Sequence, residues 1–472
     1  MGLTANEISA LFAAQRAAAP ELRARKARQR WRKIKAIRNR LLDRTWEKRI
    51  CDALHADLGK HPAEVIATEI GPVLMAIKHV KHHLRDWMRP RHVPAPLNLS
   101  GLCHRLVHQP KGNCLILSPW NYPLQLTLNP LVHAIAAGNP VLLKPSEVSA
   151  HTTQVLDELL SGIFPKSEVA VVPGAVETAT ALLELPFHHI YFTGSPQVGR
   201  IVMQAAVRHL ASVTLELGGK SPAIVDDSVN LRRVAKQTAW AKTINAGQTC
   251  IAPDYLLLPE KRLADFVEYF AAGVRELFDP EGRGVRASSD YGRIINERHA
   301  RRIQGLLEDA RKKGATVHPT GQSEVEARFI APTLVTGVTE DMAILHEEIF
   351  GPVLPVVTYR KLAEVPAILA RRPHPLSFYI MSQKRKHIDY LLEHSSAGST
   401  VINEYMVGSL NPNLPFGGIN ESGIGKANGY HSFAEFSNAR GVVERTWGTF
   451  RFLYPPFGPK TAGIVRFLYR YL

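Results

Sequence analysis

The chain has 472 residues, of which 45% are hydrophobic and 21% charged, and this predicts a globular protein of two or three domains rather than a disordered or fibrous one. The formal net charge of +16 comes from the two ends: residues 16–49 carry 14 Lys and Arg against 3 acids, and residues 440–472 carry 6 against 1. Such ends attract anionic lipid, nucleic acid or acidic metabolites, although a solvated helical face is the simpler explanation.

The four cysteines, at positions 51, 103, 114 and 250, stand far apart. Their spacing argues against a metal site or a disulfide framework and favours a reduced, cytoplasmic location. No apolar run reaches the length of about 20 residues that a membrane span needs, and the N-terminus lacks the order of a signal peptide. No helix-turn-helix, zinc-finger or RNP pattern occurs, so we expect no nucleic-acid partner.

Apolar residues at helical spacing predict helices over residues 5–58 and 63–88, followed by a proline-rich connection over 89–110. Short apolar runs then alternate with amphipathic segments, a rhythm typical of parallel βαβ units. The predicted strands are Cys114–Leu117, Val141–Leu143, Val169–Val172, His189–Phe192, Val213–Leu217, Ala223–Val225, Ile349–Val357, Leu376–Ile380 and Thr400–Ile402. We therefore expect two α/β domains in series, with ligands at the carboxyl ends of the strands.

Cys250 ends the segment NAGQTC, residues 245–250, behind a predicted helix. An isolated cysteine is usually a small buried hydrophobic residue. Here a Gly-Gln-Thr turn precedes it and is expected to expose the thiol. A thiol in such a place is a candidate nucleophile, provided that its pKa is lowered.

Two further segments carry groups that suit the same chemistry. Glu216 precedes a double glycine in ELGGKSP, and Asn121 lies in SPWNYP directly after a predicted strand. A glutamate is most often exposed, and an asparagine is an ordinary turn residue. In a crevice, however, Glu216 is a candidate general base toward water, and the Asn121 amide is a candidate donor to an oxyanion.

Two loops suit a nucleotide. Lys144 and Glu147 bound the segment KPSE after a predicted strand, and FTGSPQVG, residues 192–199, joins a strand to a helix whose N-terminal N–H groups favour an anion. This is not the GxGxxG fingerprint and is weak evidence alone. The segments EEIFGPV, residues 347–353, and LPFGG, residues 414–418, each pass equally well for a loop beside a core strand.

Six such segments in this order, over about 300 residues, are hard to attribute to chance. Together they resemble the aldehyde dehydrogenase superfamily from near the N-terminus to about residue 460. The short N-terminus, the segment APDY at 252–255 and LYPPF at 453–457 resemble its class 3 branch, which includes fatty- and aromatic-aldehyde dehydrogenases.

This resemblance implies an α/β fold with a Rossmann-like coenzyme domain, a second α/β catalytic domain and a small β bridging domain used in dimerisation. The corresponding residues are 1–88 and 111–216 for the coenzyme domain, 217–420 for the catalytic domain, 89–110 and 440–460 for the bridging segment, and 461–472 for a C-terminal helix. A homodimer is the expected assembly.

The resemblance also implies that Cys250 attacks the aldehyde carbon, while Asn121 and the Cys250 backbone N–H stabilise the resulting oxyanion. Hydride passes to the nicotinamide, and Glu216 then activates the water that hydrolyses the thioester. The residues expected to bind the cofactor are Lys144, Glu147, Gly194, Ser195, Gly199, Glu348, Phe350 and Trp120. Tyr122 and Phe416 are expected to be walls of the aldehyde channel.

A carboxylate at Glu147 accepts a hydrogen bond from a ribose 2′-hydroxyl but repels a 2′-phosphate, so we expect NAD, with NADP possible as well. On the branch resemblance we expect an apolar medium- or long-chain or aromatic aldehyde as substrate. Two departures leave the shape of the channel open. Asn428 stands where many class 3 members have histidine, and Glu421 brings an acid near the expected mouth.

Two alternatives remain at this stage. An acylating enzyme would pass the thioester to coenzyme A, but retention of Glu216 argues against it. The second alternative is a basic binding protein without activity, and the intact set of Cys250, Glu216 and Asn121 argues against it.

The C-terminal residues 461–472 place Ile464, Phe467, Leu468 and Tyr471 on one helical face and two arginines on another. This face either packs on a dimer partner or lies on an anionic membrane surface, so peripheral membrane contact is a further possibility.

Overall fold

The computed structural model describes residues 3–448, 451 and 454–470. Within these ranges helices cover both domains and both ends of the chain. The helices are α1 Ala5–Ala24, α2 Ala27–Leu41, α3 Arg44–Leu58, α4 Pro62–Val65, α5 Gly71–Met88, α6 Gln125–Ala137, α7 Ala150–Ser161, α8 Val176–Leu183, α9 Pro196–Val207, α10 Leu231–Thr243, α11 Leu263–Phe278, α12 Glu297–Lys312, α13 Val365–Leu369, α14 Arg385–Glu393, α15 Gly429–Glu435 and α16 Thr461–Arg470.

The strands form three sheets. They are β1 Arg91–His92, β2 Leu102–Pro110, β3 Cys114–Leu117, β4 Val141–Lys144, β5 Val169–Val171, β6 His189–Thr193, β7 Ser212–Glu216, β8 Pro222–Val225, β9 Tyr255–Pro259, β10 Thr316–Pro319, β11 Thr333–Thr336, β12 Val353–Tyr359, β13 Ser377–Met381, β14 Ser399–Ile402, β15 Gly423–Ile424 and β16 Ser437–Arg445. This mixed architecture is the α/β fold that the sequence predicts.

The first sheet has the order β15-β7-β6-β3-β4-β5 and is parallel except for β15. Its central strand β3 is buried along its whole length. Successive side chains of β3 enter different cores: Cys114 and Ile116 join one core with α2, α3, α5, α6 and α7, and Leu115 and Leu117 join another with α1 and α9. Both faces are covered by helices, which explains why the strands are continuous apolar runs in the sequence.

The second sheet has the order β10-β11-β12-β9-β8-β13-β14, and only β10 runs antiparallel to its neighbour. Helices α10, α11 and α12 pack on one face of it, and α13 and α14 pack on the other. The loop that carries Cys250 joins α10 to β9, so the cysteine emerges between the two sheets.

The third sheet is antiparallel and has the order β1-β2-β16; β1 and most of β16 are exposed, and β2 is partly buried. Its strands come from the two predicted bridging segments, which supports the predicted bridging unit. The C-terminal strand begins at Ser437, three residues before the predicted start at 440. Residues 449, 450, 452 and 453 of the predicted bridging segment, and residues 471 and 472 of the predicted C-terminal helix, lie outside the described residues.

We propose the predicted domain division with one addition. Strand β15 pairs with β7, and Phe433 of α15 packs in the core beneath the first sheet. Residues 423–435 therefore belong with the coenzyme-binding part, although they follow the second sheet in sequence. The chain returns to this part before it enters the bridging sheet.

Two predicted elements differ from the structure. The helical region 5–58 is divided into three helices, and Asp43 caps the third by accepting from the N–H groups of Thr45 and Trp46. The strand predicted over 349–357 begins only at Val353, because a loop occupies the preceding residues. Strands β9, β10 and β11 are not predicted, since short apolar runs are ambiguous between strand and helix.

Part of the basic N-terminal charge has a structural role. Arg30 is buried and donates to the carbonyl oxygens of Arg25, Ala136 and Arg23. Arg25 and Lys33 lie 2.8 and 3.5 Å from carboxylate oxygens of Glu168. These bonds attach α2 to the first sheet. None of the helices in the described ranges has the length and hydropathy to cross a membrane.

Asn139 generates a stability prediction. This residue is buried, accepts from Gly112 N at 2.9 Å and donates to Phe436 O at 2.9 Å, which joins distant parts of the chain. Asn139→Ala leaves Gly112 N unpaired, whereas Phe436 O keeps its bond from Lys111 N at 3.3 Å. One buried unpaired group costs about 1–3 kcal/mol, so we expect the free energy of unfolding, measured by urea denaturation followed by circular dichroism, to fall by roughly 1–3 kcal/mol.

The matched control is Asn438→Ala on exposed β16, which should change the free energy of unfolding by less than about 0.5 kcal/mol. Equal denaturation midpoints for the two variants would contradict the role assigned to Asn139.

Candidate active site

A cleft of about 1200 Å³ lies between the two large sheets. It brings together most of the side chains that the sequence analysis selects. These are Trp120, Asn121, Tyr122, Gly194, Ser195, Glu216, Cys250, Glu348, Phe350 and Phe416. Lys144, Glu147 and Gly199 do not line this cleft: the first two stand at the end of β4, and the third lies inside α9.

The loop before Cys250 has an unusual backbone. Asn245, Ala246 and Gly247 have φ values of 51°, 52° and 76°, so three successive residues adopt the left-handed region. This conformation is uncommon outside glycine and needs support from its surroundings. The buried side chain of Gln248 supplies it by donating to Asn245 O at 2.9 Å and accepting from Ile295 N at 2.9 Å. The loop therefore presents Cys250 in a fixed position.

The Cys250 side chain is partly buried in the cleft. Burial, together with the neighbouring carboxyl groups of Glu348 and Glu216, raises the pKa of its thiol to about 12. This contradicts the expectation of a lowered pKa. The thiol is neutral at pH 7, and such a group becomes a nucleophile only when a base takes its proton.

Asn121 lies beside the cysteine loop. Its Nδ2 donates to Gln248 O at 3.0 Å, and its main-chain carbonyl oxygen accepts from Asn245 Nδ2 at 2.8 Å and from Lys60 Nζ at 3.0 Å. Lys60 in turn pairs with Glu69 at 2.8 Å, and both side chains of this pair are completely buried. The Asn121 backbone is thus held by a buried ion pair that the sequence analysis missed, since no motif marks Lys60 or Glu69.

Glu216 ends β7 and is 6% exposed. Neither of its carboxyl oxygens has a hydrogen-bond partner among the described residues. Burial raises the pKa of Glu216 to about 8, Lys426 opposes the rise and Glu435 adds to it. A carboxyl group with this pKa and with free oxygens is suited to accept and return a proton near neutral pH.

Glu348 extends over the double glycine that follows Glu216. A Cβ on Gly218 would overlap the Glu348 carboxylate, so this approach requires glycine. Burial raises the pKa of Glu348 to about 8, and the charge of Asp254 contributes. Phe350, with φ 47°, turns its ring to 5.3 Å from the Trp120 ring at an angle of 86°. These groups form one wall of the cleft.

Asp254 holds this wall in place. Its Oδ1 accepts from Ile349 N at 3.0 Å, and its other oxygen pairs with Lys220. Lys220 also donates to Glu347 O at 2.9 Å. Lys220 and Asp254 lie within the segments ELGGKSP and APDY, but their positions there give no signal of this positioning role.

The first turn of α9 faces the cleft. Ser195 caps the helix, and its Oγ accepts from Val198 N at 3.4 Å. A Cβ on Gly199 would lie 2.8 Å from Leu217, so this glycine permits close packing of α9 on the end of β7. The free N–H groups of this turn suit an anion such as a pyrophosphate. Away from the cleft, Lys144 Nζ lies 3.0 Å from Glu147.

The two departures from the family pattern have structural explanations. Asn428 donates from Nδ2 to Ser409 O at 3.1 Å and to Asn411 O at 2.8 Å, so it fixes a loop at the edge of the cleft. Glu421 lies at the cleft, and its carboxylate is 3.3 Å from Arg200. The added acid is therefore paired with a nearby base.

Comparison with known proteins agrees with this geometry. A sequence profile described as the aldehyde dehydrogenase family matches residues 2–442. A "Probable coniferyl aldehyde dehydrogenase" of Pseudomonas aeruginosa is 39% identical over 98% of this chain and 96% of its own length. A "4,4'-diaponeurosporen-aldehyde dehydrogenase" of Staphylococcus aureus is 40% identical over 85% of this chain and 86% of its own.

Solved structures show the same backbone. The substrate-bound state of Staphylococcus aureus AldH has a TM-score of 0.91 at 35% identity and covers 98% of this chain and 99% of its own. A Mycobacterium tuberculosis aldehyde dehydrogenase complexed with NAD+ has a TM-score of 0.84 at 27% identity and covers 95% and 92%. Sequence, fold and the contents of the cleft agree, and the chain belongs to the aldehyde dehydrogenase family.

Proposed function

We propose that this NAD(P)-dependent aldehyde dehydrogenase oxidises its substrate through a covalent thioester on Cys250. The observation that carries the proposal is the meeting of Cys250, Asn121 and Glu216 in one cleft, with both oxygens of Glu216 free of partners among the described residues. Nucleophile, oxyanion donor and base are the three groups that acyl formation and hydrolysis need.

In the first half-reaction Cys250 Sγ bonds to the aldehyde carbon, and the proton of the thiol passes to water in the cleft. Asn121 Nδ2 and the Cys250 backbone N–H stabilise the oxyanion. Loss of one such donor costs about 2.7–4 kcal/mol, or roughly 10²–10³ in rate. In the second half-reaction the Glu216 carboxylate takes a proton from water, and the resulting hydroxide attacks the thioester carbon. The carbon–sulfur bond breaks to release the acid, and Glu216 returns its proton to the leaving Cys250 thiolate.

When bound, NAD or NADP accepts the hydride that leaves the substrate carbon. The residues fit such a dinucleotide, because a capped helix N-terminus at Ser195 suits the pyrophosphate and Glu348 suits the nicotinamide ribose. Phe350 and Trp120 would flank the nicotinamide. Lys144 and Glu147, which stand together at the end of β4, would hold the adenine ribose.

We infer from the cleft and the relatives that the substrate is an apolar medium- or long-chain or aromatic aldehyde. Tyr122, Leu126, Trp240 and Phe416 give the cleft aromatic and aliphatic walls. Two relatives carry the names of coniferyl aldehyde and of a diaponeurosporen aldehyde, both larger than acetaldehyde.

We further propose a homodimer built on the exposed bridging sheet, located in a reducing compartment such as the cytoplasm. All four cysteines are free. The exposed face of α16, with Ile464 44% and Phe467 63% exposed, supports peripheral contact with an anionic membrane, and Arg466 and Arg470 are exposed as well. Packing of this face on the dimer partner is the competing role.

Cys250→Ala is expected to abolish aldehyde oxidation and to leave NAD binding nearly intact, because the cysteine is the nucleophile and the residues proposed to bind the cofactor are unchanged. Steady-state NADH formation and NAD titration by tryptophan fluorescence measure the two properties. Cys51→Ala, distant from the cleft in α3, is the matched control and should keep wild-type activity. Substantial turnover by Cys250→Ala would refute the assignment.

Substrate length gives a second prediction. We expect kcat/KM to rise from acetaldehyde to medium- and long-chain or aromatic aldehydes, because each buried methylene contributes about 0.8 kcal/mol in the apolar cleft. The measurement is a kinetic panel under one set of conditions. A higher kcat/KM for acetaldehyde than for every longer aldehyde would show that the inferred substrate class is wrong.

For the membrane contact, full-length protein is expected to float with anionic vesicles at low salt and to be released as salt rises, since each basic residue adds roughly 1 kcal/mol near such a surface. Removal of the residues after Pro459 should abolish flotation. Neutral vesicles are the control. If full-length protein fails to bind anionic vesicles even at low salt, α16 has a packing role instead.

A further inference from the structure

The cleft continues away from Cys250 along one face of α6. Tyr122 marks the end beside the nucleophile, because its hydroxyl lies 2.7 Å from Thr249 Oγ1. Tyr122 lies just before α6, and its carbonyl oxygen accepts from Leu126 N in the first turn of this helix at 2.9 Å. Asn129 and His133 line the same cleft further along the helix. At 1.5 Å per residue His133 lies about 16 Å beyond Tyr122, which is the length of an extended long-chain aldehyde.

His133 is 2% exposed and has a defined tautomer. Its Nδ1 lies 2.8 Å from the carbonyl oxygen of Asn129, and because a carbonyl only accepts, Nδ1 carries the hydrogen. Burial lowers the pKa of His133 to about 4, so the ring is neutral at pH 7. Nε2 is therefore a lone-pair acceptor.

Two buried acceptor atoms at this end of the cleft lack hydrogen-bond partners among the described residues. They are His133 Nε2 and Asn129 Oδ1. A buried acceptor without a donor costs free energy, and such groups in native proteins usually have a ligand or water to bind. Two neighbouring acceptors call for a donor such as a hydroxyl group.

The surroundings favour a neutral donor over a cation. Helix α5 and the π-helical turn Ile66–Ile70 before it run beside α6, as the contact of Glu69 with Gln125 N at 2.9 Å and the electrostatic interaction of His79 with His133 show. Between these points α5 presents Met75 and Ala76 to the cleft, and neither is charged. An ammonium group bound here would find no carboxylate on α5 near Met75 and Ala76 to balance its charge. A hydroxyl group carries no charge and needs only the acceptors His133 Nε2 and Asn129 Oδ1.

We propose that the far end of the cleft, formed by His133 Nε2 and the Asn129 amide, binds a hydroxyl group at the tail of the aldehyde substrate. The preferred substrates are then elongated aldehydes with an apolar body and a distal hydroxyl. This inference rests on the proposed function, because it takes the aldehyde carbon to lie at Cys250.

The test compares kcat/KM for C8 to C12 n-alkanals with that for the ω-hydroxyaldehydes of equal length. At the matching length the wild type should favour the hydroxyaldehyde by about 3- to 10-fold, the effect of one net hydrogen bond. His133→Phe should lose this preference and retain oxidation of the alkanals, whereas His133→Gln, which keeps an acceptor, should retain part of it. His82→Phe, the same change at an exposed site on α5, is the matched control and should keep the wild-type ratio.

An equal ratio in the wild type and in folded His133→Phe would overturn the inference, as would a wild type without any preference for the hydroxyl at any length. If His133→Phe fails to fold by circular dichroism, Asn129→Leu provides the same comparison. A wild type that oxidises neither series would contradict the proposed function instead, so the two failures are distinguishable.

Discussion

The cost of burying an ionised group determines how this cleft works. Cys250, Glu216 and Glu348 share one enclosed space, and burial raises the pKa of each, to about 12 for the thiol and about 8 for the carboxyl groups. Each of these three groups therefore keeps its proton at neutral pH until a base accepts it. The base form of Glu216 gains population as pH rises through about 8, which couples hydrolysis to mildly alkaline conditions.

Such a site needs a rigid frame, because an unpaired carboxyl group moves unless its surroundings fix it. Three buried groups provide that frame from separate parts of the chain. Lys60 holds the backbone of Asn121, Gln248 supports the strained turn before Cys250, and Asp254 holds the loop that carries Glu348. The catalytic side chains thus sit on strands and braced loops rather than on free segments.

Sequence alone predicted the α/β class and most strands of the first sheet, because buried parallel strands between amphipathic helices leave a clear rhythm. Cys250, Glu216 and Asn121 were identifiable because each stands in a glycine- or proline-marked turn at the end of an element. The residues that hold these groups in place were not identifiable, since Lys60 and Glu69 act through contacts with residues far away in sequence. His133 also has no sequence signal: only burial and an unpaired Nε2 distinguish it.

The central claim is that Glu216 releases an acyl group from Cys250, and Glu216→Gln tests it most directly. General-base catalysis contributes about 10²–10⁴-fold, so hydrolysis should slow by that amount while acylation is affected less. Rapid-mixing measurements of NADH should show a burst followed by slow turnover, and intact-mass spectrometry should find the acyl group on Cys250. Turnover at the wild-type rate, without an acylated cysteine, would contradict the account.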